Sequence, residues 1–230
     1  MAVLNEWAYY DEWEKRMDAA TRDAVRDGCI RSADRILPMI FDYLGTPDAL
    51  LDVGAGEGHW SASAARLGVT VTHALDAESH HAYGVEVYEW TAGESLPLLG
   101  GSDTWPLALC LEMAEHVTEA EGGALVGELC RVAEQVVWSA AIPGQGGDGH
   151  LNEQWPAYWS QRFAEHGYYL DDPGWRLDLW SDPDVEPWYA QNLLLAFKPR
   201  LFAETRTAFP PPQPLVHPIT WAHHRGVPAP

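Results

Sequence analysis

Short apolar runs punctuate the middle of the chain at regular intervals. Leu50 to Val53, Val69 to Leu75, Val85 to Trp90, Leu107 to Leu111 and Gln135 to Ile142 each end near glycine, proline or an acid. Nearly continuous runs of this kind predict strands buried on both faces, and hence a parallel sheet covered by helices. Between them the period changes. His59 to Leu67 reads as a helix stopped by Gly68, and Trp155, Tyr158, Trp159 and Phe163 recur at helix spacing after a start near Pro156. Trp159 and Phe163 are expected in the core. Trp175 to Trp180 and Tyr189 to Phe197 read as two late strands separated by Pro- and Asp-rich sequence.

Three segments follow. Residues 1–46 are predicted to be a helical lid, with one helix over Asp11 to Arg26 and another over Ile36 to Leu44 whose first turn holds Pro38. Residues 47–198 form the α/β core. Residues 199–230 hold eight of the 17 prolines, including Pro210-Pro211-Pro212, and are expected to be an extended tail.

The first run continues into a loop with glycines at 54, 56 and 58, then into the His59 helix. Strand, glycine loop and helix make a nucleotide-binding unit with its ligand at the carboxyl end of the strand. A dinucleotide site would need G-x-G-x-x-G, but its third glycine position is occupied here by the bulky His59. Asp76, closing the second strand, is placed to accept both hydroxyls of a ribose.

The string Asp52-Val53-Gly54-Ala55-Gly56-Glu57-Gly58 resembles motif I of the class I S-adenosylmethionine-dependent methyltransferases. Leu111-Glu112-Met113-Ala114-Glu115-His116 resembles that family's string after the fourth strand. Pro143-Gly144-Gln145-Gly146-Gly147-Asp148-Gly149-His150-Leu151-Asn152-Glu153-Gln154 resembles the loop of a subgroup of small bacterial and phage methyltransferases. The likeness covers residues 48 to 198. Relatives begin the fourth strand with Phe-Asp; this chain has Trp105-Pro106, so the strand is expected to start at Leu107.

The resemblance implies a Rossmann-like α/β fold, with a seven-stranded, mostly parallel sheet and helices on both faces. It also implies S-adenosylmethionine as cofactor, held by Asp52, Gly54, Ala55, Gly56, Gly58, Asp76, Glu89, Leu111 and Glu112. Glu89 is the nearest match to the acid that reads the adenine amine.

Charge narrows the acceptor. With 34 acids against 14 Lys and Arg the formal net charge is −20, and a surface this acidic repels a polyanion. Nucleic acid is disfavoured, so a small-molecule acceptor, a metabolite or sugar methylated on oxygen, is expected. Nucleic-acid methylation and a non-catalytic cofactor-binding module are the alternatives. No apolar run is long enough to span a bilayer and the N-terminus lacks a basic-then-apolar signal, so a cytoplasmic protein with no membrane partner is expected. Cys29, Cys110 and Cys130 have no paired spacing and read as reduced thiols.

Methyl transfer from a sulfonium needs alignment and, for an alcohol acceptor, a base. His150 is the leading base, or else a pin for its loop; Glu112 and Gln154 complete the catalytic set. Gln145, His116, Asn152 and Trp155 are candidate substrate contacts, although Asn152 equally suits a helix cap. Asp148, His150 and Glu153 lack a metal-ligand spacing, and no metal is expected.

Overall fold

The structure is a computed structural model, described over residues 19–101, 103–199 and 211–225. Residues 11–18 of the predicted first helix lie outside that range. Strands β1 (Ala49–Val53), β2 (Val71–Asp76), β3 (His80–Ala82), β4 (Val85–Glu89), β5 (Leu107–Leu111), β6 (Gln135–Ser139), β7 (Tyr169–Asp171) and β8 (Leu194–Phe197) form one sheet. Their order is β3-β4-β2-β1-β5-β6-β8-β7. The pairs β4-β2, β2-β1, β1-β5 and β5-β6 are parallel, and β8 runs antiparallel to both β6 and β7. Strand order reverses at β1, so the carboxyl ends of β1, β2 and β5 open onto the crevice where such sheets bind ligands.

Alternate residues of each strand enter opposite cores. On one face Leu51, Val53, Ala108, Cys110, Val136 and Trp138 pack with Leu125 and Leu129 of α3 (Glu119–Val132) and Trp159 and Phe163 of α4 (Pro156–Glu165). On the other, Leu50, Leu107, Leu109, Val137 and Leu195 meet α1 (Ala19–Leu44) and α2 (His59–Arg66). From α1 come Ala33, Ile36, Leu37, Ile40 and Phe41, a helix-spaced stripe that is buried throughout. Each such aliphatic side chain contributes about 1.5–3 kcal/mol on burial, which makes α1 part of the fold as well as a cover.

Five expectations need correction. The sheet has eight strands, because β3 and β4 form a hairpin about Tyr83 and Gly84, both at positive φ (55° and 76°) as a two-residue hairpin turn demands. Among the described residues the N-terminal segment is one continuous helix from Ala19 to Leu44, and Pro38 lies well inside α1 and not in a first turn. Residues Trp175–Leu179 are helix α5: Trp175, Arg176 and Leu179 are buried while Leu177 is 70% exposed. Apolar residues at 175, 177 and 179 imitate a strand, but burial follows a helical face, and Asp172 accepts the Gly174 N–H just ahead of it. Tyr189 to Asn192 belong to α6 (Pro187–Asn192), started by its proline, and only Leu194–Phe197 form the strand. The tail is also not simply extended: Pro218–Arg225 form α7, and His217 and Ala222 are buried.

Candidate active site

The carboxyl edge of the sheet assembles the glycine loop first. Leu75 O of β2 accepts the N–H groups of Gly54 and Ala55 (2.9 and 3.0 Å), which folds the loop back over the strand ends. The three glycines differ in purpose. A Cβ at Gly54 would lie 2.4 Å from the Met113 side chain, and one at Gly58 3.1 Å from Val87. At Gly56 (φ 54°) a Cβ meets nothing within 4 Å. Gly54 and Gly58 are therefore close-packing positions, and Gly56 presents bare backbone to open space.

Asp76 accepts the Gly56 N–H at 2.7 Å and its neighbour Ala77 N–H at 2.7 Å, so its carboxylate lies against the loop. Glu89 stands in register with Asp76 on the adjacent strand, exposed at the same edge. From above, Arg26 of α1 grips Glu57 of the loop through two hydrogen bonds of 2.8 Å. Asp52 departs from its expected role. It is 3% exposed and accepts from Ser61 Oγ at 2.9 Å, beneath the loop; burial pushes its carboxyl up to about 7. It positions α2 and touches no open space. Ala55 is likewise buried and offers only backbone.

Leu111 ends β5 in the core, and the chain turns sharply after it. Glu112 has φ 50°, a left-handed conformation that costs a non-glycine residue of order 1–3 kcal/mol. Its N–H donates to Ser139 O and Oγ of the neighbouring strand (3.0 and 3.1 Å). Its carboxylate accepts from Gln145 Nε2 at 3.1 Å and from Asn192 Nδ2 at 3.1 Å. Burial raises the Glu112 pKa, opposed by the Asn192, Ser139 and Gln145 hydrogen bonds. Gln145 Oε1 in turn accepts from Gln191 Nε2 (2.8 Å) and Asn192 Nδ2 (2.9 Å), and Gln191 Oε1 from the His217 N–H (2.8 Å). The fully buried Arg176 joins by donating to the carbonyls of Gln191 and Gln213. A polar network thus runs from the end of β5 to the C-terminal segment. Gln191, Asn192, Arg176 and His217 were not expected there. Two amides leading straight into the apolar run Leu193 to Phe197 are the one sequence signal that marks them.

A second cluster lies below. The one-turn helix Ala114–His116 follows β5, and Glu115 O accepts the N–H groups of Leu151 and Asn152 (2.7 and 3.1 Å), which clamps the 143–154 loop over it. His150 and His116 meet edge to face, ring centres 4.9 Å apart. His150 Nδ1 is 2.9 Å from Glu153 Oε1. Glu153 also accepts from the Gly144 and Gly146 N–H groups at 2.7 and 2.8 Å. Burial opposes its ionisation, but His150 and these amides outweigh that and hold its pKa low. Burial and the charge of His150 push His116 down to about 4. Glu115 is fully buried, and burial, then the nearby Glu112 charge, raise its pKa well above the usual carboxyl range.

Asn152 departs from both expected roles. It is 3% exposed, donates to Ala114 O and accepts from Gln154 Nε2, so it fixes the loop and caps nothing. Gln154 is thereby tied to the loop's own backbone frame. Trp155 precedes α4, exposed, while Trp159 and Phe163 are in the core as expected. A cavity of about 270 Å³ opens beside the network, lined by Gln145, Gly146, Pro187, Trp188, Ile219 and Thr220. Ile219 and Thr220 of α7 form part of its wall.

No protein-family model matches the chain, and neither does any curated protein sequence. Solved structures do. Magnesium protoporphyrin IX methyltransferase from Synechocystis PCC 6803, with S-adenosylmethionine bound, matches 86% of this chain and 99% of its own at TM-score 0.60 and 15% identity. The pyocyanin biosynthetic protein PhzM matches 83% of this chain and 61% of its own, at TM-score 0.56 and 12% identity. A riboflavin-type dimethyltransferase, RosA from Streptomyces davawensis, matches 70% of this chain and 56% of its own, at 0.51 and 16%. At such identities the likeness establishes the fold, which is the Rossmann-like α/β fold of class I methyltransferases.

Proposed function

We propose that the protein is an S-adenosylmethionine-dependent methyltransferase that methylates an oxygen of a small polar molecule. The observation that carries this is the open backbone at Gly56 beside the paired acids Asp76 and Glu89, at the switch point of the sheet. The residues fit the cofactor: Gly56 gives a side-chain-free approach, Asp76 suits a ribose diol, and Glu89 lies one strand further out for the base. Bound there, the cofactor supplies a methyl group already electrophilic on its sulfonium. The solved methyltransferases that share the fold act, by their names, on a porphyrin and a riboflavin derivative, which supports a small acceptor.

This chain's own residues hold and orient. Glu112, kept in a strained conformation by Ser139, Gln145 and Asn192, is set at the cofactor side of the network. The cavity at Gln145 and Trp188 offers an aromatic wall and an amide to an acceptor; at about 270 Å³ it is slightly smaller than the usual small-ligand pocket. His150 lies along the same loop. Glu153 anchors its Nδ1 and leaves Nε2 as the nitrogen for chemistry.

The test incubates the full chain with methyl-labelled cofactor and a panel of sugars, nucleotide-sugars, small phenols, DNA and RNA. Label is expected in a small hydroxyl compound, with His150→Ala slowed ~10²-fold or more and cofactor affinity kept. Salt-sensitive labelling of DNA or RNA alone overturns the substrate class; cofactor binding with no product across the panel points instead to a non-catalytic module.

A further inference from the structure

We propose that Glu115, His116 and His150 form a binding site for one divalent transition-metal ion, zinc in the first instance. One carboxylate oxygen and two ring nitrogens, offered by three residues from two separate segments, lie within 4.8 Å of one another. The member most costly to bury is Glu115. Glu115 is 0% exposed; neither carboxyl oxygen makes a hydrogen bond of good geometry among the described residues, and the polar groups that act on it are the Glu115 and Ala141 backbone and the Glu112 carboxyl. Burying a carboxyl so poorly satisfied is costly, more so if it is charged, and a cation bound beside it would pair with it.

The groups behind the two rings have the form that metal-bound imidazoles require. A ligating histidine gives its other ring nitrogen to a carboxylate or a backbone carbonyl, which fixes the ring and its tautomer. His150 Nδ1 is held by Glu153 at 2.9 Å, and the His116 ring is hydrogen-bonded to the Gly149 backbone. The loop is built to bring them together. Glu115 O takes two loop N–H groups, and a Cβ on Gly147 would lie 2.4 Å from His150 Nε2, so only glycine leaves room for that ring.

Two imidazoles and one carboxylate suit zinc or a neighbouring transition metal, whereas magnesium and calcium favour all-oxygen shells. Three protein ligands leave a fourth position open, the arrangement of catalytic rather than structural zinc sites. If the methyl-transfer reading holds, a bound ion takes the place of a free His150 Nε2 as the group that would meet an acceptor oxygen; the binding site itself does not depend on it. The expectation of no metal came from the 143–154 loop taken alone, and the missing ligands are supplied by the turn after β5.

The test strips the full chain with chelator and titrates it with zinc chloride against a chromophoric zinc indicator, without S-adenosylmethionine. One equivalent is expected to bind, with millimolar magnesium unable to compete. Cobalt(II) should occupy the same site and give a visible ligand-field spectrum. Glu115→Gln, His116→Ala and His150→Ala should each weaken zinc about 10–100-fold or more, while His81→Ala, an exposed histidine paired with Glu86, should not. If Glu115→Gln fails to fold, the two histidine variants decide. No zinc bound by the wild type, or wild-type affinity in folded His116→Ala and His150→Ala, overturns the site. Calorimetry with S-adenosylmethionine is run separately: its failure with zinc binding intact overturns the methyl-transfer reading alone.

Discussion

Single residues at this site divide by what surrounds their side chains, and that is where sequence reading succeeds or stops. The glycines at 54, 56 and 58 and the acid at Asp76 are legible from spacing alone, because backbone approach and ribose geometry demand those types. Which glycine faces the ligand is not legible, since it depends on Met113 and Val87 arriving from β5 and β4. Gly54→Ala is expected to destabilise the fold, by steric conflict with Met113 and by its φ of 76°, with a cost of about 1–3 kcal/mol; chemical denaturation measures it. Asp52 shows the same limit: motif position assigns it to the cofactor, but its carboxyl is turned to Ser61 under the loop. Its pKa rises from 3.8 to about 7 on burial, so between those values the native state binds more protons than the unfolded chain. Stability from this group therefore falls as pH rises through that window, by up to about 1.4 kcal/mol per unit. Thermal melts from pH 4 to 8 should show a shallower decline in Asp52→Asn than in wild type; parallel curves would refute the assignment.

At the scale of elements, the strands β1, β5 and β6 were readable because a doubly covered strand needs an apolar run, whereas β2 and β4, only partly buried, were readable by their alternation. The start of β5 at Leu107 follows from Pro106, which cannot donate to a ladder. Elements after residue 170 were not readable in the same way. Trp175, Leu177 and Leu179 alternate like a strand, and only contact with the C-terminal segment reveals the helix. That segment binds through Arg176 Nη2 to Gln213 O at 3.0 Å and through the His217 N–H to Gln191 Oε1 at 2.8 Å, contacts across long sequence separations that composition cannot announce. Proline content suggested a loose tail; His217 Nε2 instead donates to Trp180 O at 2.8 Å and anchors α7. Deleting residues 211–230 should remove about 1–3 kcal/mol of buried hydrogen bonding. A fall in Tm of about 2–4 °C per kcal/mol is then expected, together with weaker acceptor binding, because Ile219 and Thr220 wall the cavity. Cofactor affinity should survive, since the glycine loop and Asp76 lie outside this segment. An unchanged Tm in the truncated chain would contradict the docking of α7.

For the whole molecule, charge and fold bear on different questions. The sheet order, with its reversal at β1, locates the crevice, and no helix among the described residues is long and apolar enough to cross a membrane. The net charge of −20 bears on partners: affinity for a small acceptor should change little with salt, whereas a phosphate-backbone ligand would lose it steeply between about 50 and 200 mM. Acceptor affinity measured across that range checks this, and a steep loss would reopen nucleic acid as substrate. Beneath all of these lies the identity of the cofactor. The most direct measurement is calorimetric titration of the purified full chain with S-adenosylmethionine and with NAD, on wild type and Gly56→Val. Saturable binding of one S-adenosylmethionine, no comparable binding of NAD, and loss of the former in a folded Gly56→Val are predicted. NAD bound as tightly as S-adenosylmethionine, or unchanged affinity in Gly56→Val, would contradict it.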